Sequence, residues 1–401
     1  MKRQISRDLS ISATVAGLIA LVATYSGPVL IVVQAAQAGK LSQDLLSTWI
    51  WALSLGSAIL GLWLSLRLKV PVIGAWSTPG VALLISGLAQ YPFSDVIGCY
   101  VVVTTLIAVI GYSGLFARLM EHLPTHLLSA MIAGVLFQFC ARIFQSLQAF
   151  PGIVLPVMGV YLLGRRLVPR YAVACALLTG LLIAVLTTPS FQGVHLTLVQ
   201  PVLTAPTFGR DALIGLGLPL LLLALTQYAT GITILRNAGY QVSAQAVVGG
   251  SGLVSIPLAL FGSSGVNPAA IVGAICASPE CHPDPQRRYI AGLVCGLGYL
   301  CVGIFGASVV ALFSLLPGGL IATLAGLALL GTLVSALASS MADERHREPA
   351  LITFVVTVSG MSFFGLGSAL WGLLAGLLFT GVVSWRGSPN PTRQATGSAA
   401  R

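Results

Sequence analysis

Charge is what this sequence has least of. Only 7% of its 401 residues are Asp, Glu, Lys or Arg, against about 25% in a soluble globular chain. With 56% hydrophobic residues and a mean hydropathy of +0.95, a water-soluble fold is excluded and a polytopic membrane protein is indicated. The ten acidic residues (Asp8, Asp44, Asp95, Glu121, Asp211, Glu280, Asp284, Asp343, Glu344, Glu348) all fall in loops or at the ends of apolar runs. So do His122, His126, His195, His282 and His346. With no carboxylate or imidazole at mid-membrane, the usual intramembrane proton relay is excluded. Also missing are a His-Glu-x-x-His motif and any plausible nucleophile–base pair, so the chain is not expected to be an enzyme. No strand–Gly-loop–Lys pattern is present to cradle a phosphate; Gly249, Gly250, Gly252, Gly372 and Gly376 read as close helix contacts instead. Seven cysteines lie mostly in apolar runs and read as small hydrophobes. Cys276, Cys281 and His282 form an incomplete, irregular metal set, so neither metal nor cofactor is expected.

Long apolar runs, in contrast, are abundant. Fourteen runs near the length needed to cross a bilayer lie near residues 10–36, 44–66, 70–89, 94–118, 125–145, 151–166, 170–188, 210–236, 242–262, 264–279, 288–313, 317–341, 349–366 and 368–385. Lys2, Arg3, Arg7 and the run that follows imitate a secretory signal. From Ile11 to Ala36 the run exceeds an h-region of roughly 7–15 residues, so it reads as the first span. With the N-terminus inside, fourteen crossings leave Lys40, Arg142 and Arg210 outside and the other 17 of the 20 Lys and Arg residues inside. That asymmetry is the positive-inside pattern, and it makes both termini cytoplasmic. The net charge of +10 is thus spent on orientation; the bilayer, and no nucleic acid, is the expected partner.

Two stretches do not read as simple spans. Ala75-Trp76-Ser77-Thr78-Pro79-Gly80 follows the extended, β-branched Val70-Pro71-Val72-Ile73. Thr78 reads as an N-cap and Pro79 as the first helical residue, so a half-helix is expected to start within the membrane. Gly265-Val266-Asn267-Pro268-Ala269-Ala270 repeats the pattern, with Asn267 as cap and Pro268 following. Helix starts at that depth leave N–H groups and a partial positive charge where water is scarce, which lipid tolerates only beside a cavity. Paired broken helices in the two halves of a chain point to a transporter's binding site. The halves also match elsewhere: Tyr25 with Tyr228 (offset 203), Thr78 with Asn267 (189), and Leu123-Pro124 with Leu316-Pro317 (193 from 123 to 316). The reading is an all-α polytopic membrane protein, 14 transmembrane segments in a 7+7 inverted repeat, with short extended pieces before the half-helices of segments 3 and 10.

The expected substrate-binding residues are Tyr25, Ser26 and Gly27 of segment 1, Trp76, Ser77, Thr78, Pro79 and Gly80 of segment 3, Gln227, Tyr228 and Thr230 of segment 8, and Asn267, Pro268 and Ala269 of segment 10. The Ser and Thr residues serve equally well for helix packing. A buried Gln227 needs partners. Two helix N-termini favour an anion, and no cation locks it in place. Trp76 and the tyrosines offer flat walls for a ring. The ligand expected is a small organic anion.

Along the chain Ala75–Gly80, Gly114-Leu115-Phe116-Ala117-Arg118-Leu119-Met120, Pro169-Arg170-Tyr171-Ala172-Val173, Ser278-Pro279-Glu280 with His282-Pro283-Asp284, and Gly367-Ser368-Ala369 with Trp371-Gly372-Leu373 resemble the BenE family of benzoate/proton symporters. The resemblance implies a fold like that of uracil/proton symporters. It implies a core domain (1–118 and 210–314), a gate domain (119–188 and 315–386), a periplasmic linker at 189–209 and, from composition, a disordered cytoplasmic tail at 387–401. It also implies a homodimer in some relatives, and uptake of benzoate or a similar aromatic carboxylate with a proton across the bacterial inner membrane. More distant relatives of this fold carry carboxylates in segments 8 and 10, where this chain has Gln227 and Asn267, so their coupling residues do not transfer. The proton would then travel on or beside the substrate carboxyl. Another small anion, a nucleobase, or an anion channel are the alternative readings.

Overall fold

The computed structural model describes residues 7–187, 196–314 and 316–386, and nearly all of their regular structure is helical. Helix is the answer apolar runs give when no water is available to pair the backbone. The first run is α1 (Ile11–Ser26) and α2 (Pro28–Ala38), broken at Gly27. A Cβ at Gly27 would stand 2.3 Å from the Cβ of Ala328, so the break is also a site of close helix contact. α3 (Gln43–Leu68) is capped at its start by Ser42, whose side chain accepts from Leu45 N–H. Strand β1 (Gly74–Trp76), α4 (Thr78–Gln90), α5 (Phe93–Ser113), the short α6 (Leu115–His122), α7 (Thr125–Ala149), α8 (Pro151–Leu167) and α9 (Ala172–Thr187) complete the first half.

The second half runs through α10 (Leu218–Asn237), α11 (Gly250–Ala259), β2 (Val266–Pro268), α12 (Ile271–Ala277), α13 (Tyr289–Ile304), α14 (Gly306–Ser314), α15 (Gly318–Ser340), α16 (Arg347–Val358) and α17 (Ser368–Arg386). One π-helical turn precedes α10 (Leu213–Gly217) and another precedes α11 (Gln245–Gly249).

Among the described residues, seven helical stretches are long and apolar enough to cross a membrane: Ile11–Ala38, Gln43–Leu68, Phe93–Ser113, Thr125–Ala149, Arg210–Asn237, Pro285–Ile304 and Gly319–Ser340. Four more apolar helices are shorter. Several expected spans are therefore cut or trimmed. The fourth stops at Ser113, where Gly114 takes φ +75° and a separate amphipathic helix, α6, begins. The eleventh is divided at Phe305 into α13 and α14. The thirteenth ends at Val358 rather than near 366, and a tight turn bridged between Phe363 and Leu366 follows.

Of the expected linker, residues 189–195 lie outside the described residues. From 196 onward the chain has no regular structure and is pinned across four helix ends. Val199 N–H donates to Ile304 O (3.1 Å), Val202 N–H to Thr48 Oγ1 (3.0 Å), Thr204 N–H to Leu260 O (3.0 Å) and Gly209 N–H to Asp95 Oδ1 (3.1 Å). The tail at 387–401 also lies outside the described residues.

The architecture closes on one small element. β1 and β2 pair antiparallel, with Gly74 opposite Pro268, Ala75 opposite Asn267 and Trp76 opposite Val266. Both strands are fully buried. The two segments that the sequence marked as irregular are therefore each other's hydrogen-bond partners, which is how non-helical backbone is tolerated at this depth.

Candidate functional site

Close packing fixes this two-stranded ribbon. Gly74 lies so close to α3 that a Cβ there would sit 2.4 Å from Ser57 O. Gly231 of α10 makes the matching approach from the other side, 2.3 Å from Pro268 O. Gly265 enters β2 at φ +95°, a conformation that favours glycine. Ala269 N–H donates to Ile73 O at 2.8 Å and lengthens the ladder by one bond.

The helix starts differ from expectation. In the first segment the cap is Ser77, not Thr78: Ser77 Oγ accepts from Gly80 N–H at 3.1 Å, and α4 begins at Thr78. Val81 N–H is taken by Ser77 O (2.9 Å), and Pro79 has no N–H. Among the described residues this leaves Thr78 N–H as the first-turn amide of α4 without a protein acceptor. In the second segment Asn267 does not cap and Pro268 does not begin a helix. Both belong to β2, and α12 starts at Ile271 behind Ala270 with no side-chain cap. Pairing with β1 holds Asn267 and Pro268 extended, and that overrides their helix-start signal.

Residues directly opposite in an antiparallel pair share a face, and the next residue takes the other. Asn267 and Ala75 therefore project to one side, Trp76 and Val266 to the other. On the Asn267 side lies a cavity of about 20 Å³, lined by Ser77, Thr104, Tyr228, Ser264 and Asn267 among others. Asn267 is buried, and Ser264 Oγ is buried without a partner. On the Trp76 side is an aromatic cluster. The Tyr25 ring centroid is 5.7 Å from that of Trp76 and 5.6 Å from that of Tyr299, and Trp76 and Tyr299 are 6.4 Å apart. Trp76 Nε1 is buried with no acceptor.

The expected site residues thus divide. Ser77, Tyr228 and Asn267 meet at the cavity. Tyr228 is also a strut, its hydroxyl donating to Val266 O at 2.7 Å. Tyr25 and Trp76 pack behind the ribbon. The Tyr25 hydroxyl is held by Ser54 Oγ, which itself donates to Ile50 O (2.6 Å), so Tyr25 is the donor. Ser26 Oγ turns back to Ala23 O (3.2 Å), and Gly27 faces Ala328. Gly80 receives the cap, and Pro268 and Ala269 contribute backbone. Gln227 is half-buried and Thr230 is exposed with its hydroxyl on Thr226 O (2.8 Å); neither lines the cavity. Thr104, Ser264 and Tyr299 lie outside the residues to which the sequence points. Thr104 and Tyr299 sit in apolar runs that give no local sign of a site. Ser264 stands beside Gly265, and the glycine was the available signal.

Comparison with known proteins follows the same line. A family described as "Benzoate membrane transport protein" matches residues 7–382. The chain is 38% identical over 383 residues to a benzoate membrane transport protein of Acinetobacter baylyi, covering 94% of this chain and 96% of that one. It is 38% identical over 368 residues to the Escherichia coli inner membrane protein YdcO, covering 90% and 93%. Among solved structures it is similar to SLC26A9 (TM-score 0.61, 15% identity, 94% of this chain and 66% of that one). It is also similar to the transmembrane domain of the cyanobacterial bicarbonate transporter BicA (TM-score 0.58, 16% identity, 92% and 97%). At such identities these last two likenesses concern the fold alone.

Proposed function

The chain belongs to the benzoate membrane transport family, and from that premise we propose that it is a secondary active transporter importing benzoate or a similar aromatic carboxylate with a proton by alternating access. The observation that carries this reading is the pairing of two broken segments, one from each half of the chain, beside a cavity where neutral polar side chains meet an apolar wall. The substrate carboxylate would be met by Thr78 N–H, Asn267 and Ser264, with the Tyr228 ring as a wall. Tyr25 and Trp76 would brace the ribbon from behind. The substrate carboxyl would bring the proton, since among the described residues no acid or base lines the cavity.

Three observations support the larger frame. The strand register exchanges Ala75 with Asn267, an offset of 192 residues, and the helix starts Thr78 and Ile271 differ by 193. These agree with each other and with the 193 separating the two Leu-Pro pairs, as an inverted 7+7 repeat of fourteen segments requires. Helix packing also divides as a core and a gate would: α7 packs on α15 and α16, whereas α3 and α1 pack on α13, and α5 on α11. Gly27 against Ala328 is then a core–gate contact, where a core moving against the gate would slide. Finally, a cavity of about 20 Å³ is far below the roughly 300–1,000 Å³ of ligand pockets, so a ring enters only if the residues around it, all from the two core stretches, move apart. Both termini would lie in the cytoplasm of a bacterial inner membrane, the membrane named for the Escherichia coli relative.

The test is uptake of labelled benzoate by proteoliposomes under an imposed pH gradient, acidic outside. Accumulation that collapses with the gradient supports symport; no accumulation refutes it. The same cavity size favours a second reading, an anion smaller than benzoate on this fold. A thermal-shift panel of benzoate, uracil and sulfate separates the ligands. Saturable counterflow argues for a carrier, and single-channel current for a channel.

A further inference from the structure

We propose that Arg288 is a positioning residue for this site: it holds the far end of the second broken segment and lends its buried charge to anion binding. The proposal rests on the transport reading above. Arg288 immediately precedes α13 and is only 5% exposed. A cation is kept at that depth only if its donors are satisfied. Here Nη1 donates to Ala277 O at 2.7 Å, Nε to His282 O at 2.7 Å and Nη2 to Pro283 O at 3.4 Å. All three acceptors are neutral carbonyls, and among the described residues no carboxylate forms an ion pair with Arg288. The hydrogen bonds are met without a direct ion pair, and the nearby carboxylates Asp8 and Asp284 pair with the adjacent Arg287 instead.

Ala277 is the last residue of α12, whose final carbonyls have no partner within the helix. The contrast with the first segment gives the contact its meaning. α4 has 13 residues, its own serine cap and no basic residue in its last turn. α12 has seven residues and no side chain capping its start. It is fixed from behind instead, by a guanidinium fork reaching back eleven positions and tying α12 and the 278–287 loop to the start of α13. Asn267 lies on the same short segment, so where Arg288 holds Ala277 determines where Asn267 stands. Seven helical residues span about 10 Å. A unit charge about 12–15 Å from a bound anion, at an effective dielectric constant of about 20, changes the anion's affinity about five- to tenfold.

The test compares benzoate with its neutral isostere benzamide, by competition against labelled benzoate on the purified full-length protein. R288Q loses both the fork and the charge, so it is expected to weaken both ligands, benzoate about five- to tenfold more than benzamide. R288K keeps the charge but not the fork, and should hold the benzoate KM within about threefold while lowering Vmax. A purely structural role would weaken both ligands alike in R288Q, and that result overturns the proposal. If R288Q does not reach the membrane, R288K decides: a KM kept with a lowered Vmax supports the proposal, and a KM raised tenfold overturns it. Wild-type protein that binds no benzoate defeats the transport reading and this inference together. Wild-type binding with an indifferent R288Q defeats this inference alone.

Discussion

The two broken segments meet in one ribbon but are built unequally. Residues 70–90 give a long extended approach, a serine cap, a proline in the first turn and a 13-residue helix. Residues 264–277 give a glycine-led strand, a helix of seven residues and no cap. A macrodipole needs length and unsatisfied amides to act on an anion. Only α4 has the length, and even there the cap and the proline leave Thr78 N–H as the spare donor of the first turn. The second segment contributes chiefly a side-chain amide, Asn267, placed by strand pairing. In the site proposed above, the idea of two equal dipoles facing one pocket gives way to a lopsided arrangement, with a backbone donor offered by one half and a side-chain donor by the other.

The severest way to break the comparison is to stop the segments from meeting. Gly231→Ala puts a methyl group where Pro268 O lies 2.3 Å away, and Gly74→Ala does the same to Ser57 O at 2.4 Å. Both obstacles are backbone and cannot rotate aside. Overpacking costs about 1–3 kcal/mol of stability, and the upper end is expected, with the ribbon pushed out of place. Proteoliposome uptake should fall below detection for both variants, with a lowered melting temperature. Normal uptake by either would mean that the ribbon is not needed.

Next in size is Asn267→Ala. Removing a buried amide that meets a charged ligand costs about 1.5–3 kcal/mol, so benzoate binding should weaken at least tenfold while the melting temperature of the unliganded protein changes little. Asn267→Asp sharpens the point, since a carboxylate at the same place would repel an anion. Isothermal titration at neutral pH should then detect no benzoate binding.

The sequence made these segments visible but not their inequality. Val70 to Gly80 and Gly265 to Ala270 stand out because proline, glycine and polar residues interrupt apolar runs, and a bilayer punishes such interruptions unless they have a use. What local pattern could not show is that Asn267 and Pro268 are held extended by a strand nearly two hundred residues away. A cap-and-proline signal is local, whereas pairing is tertiary and prevails. The same limit hid Tyr299, Thr104 and Arg288. Within their own segments they are a ring in an apolar helix, a hydroxyl that bonds its own turn (Thr104 Oγ1 to Tyr100 O, 2.7 Å) and one of many arginines between apolar runs. Each acquires its role only when another segment packs against it.

The two smallest effects decide which hydroxyl matters at the start of α4. Ser77→Ala removes a bond to Gly80 N–H, and lost N-caps cost about 1 kcal/mol, so benzoate affinity should fall about fivefold through a frayed first turn. Thr78→Ala removes no cap and keeps the Thr78 N–H, so its effect should stay within about twofold. Measured side by side in one binding assay, the ratio of the two tests the one-residue shift between the cap the sequence suggests and the cap the structure uses. A larger loss in Thr78→Ala than in Ser77→Ala would mean that the threonine hydroxyl itself touches the substrate. The carboxylate would then be met by side chains from both segments, and the asymmetry between them would shrink to one of helix length.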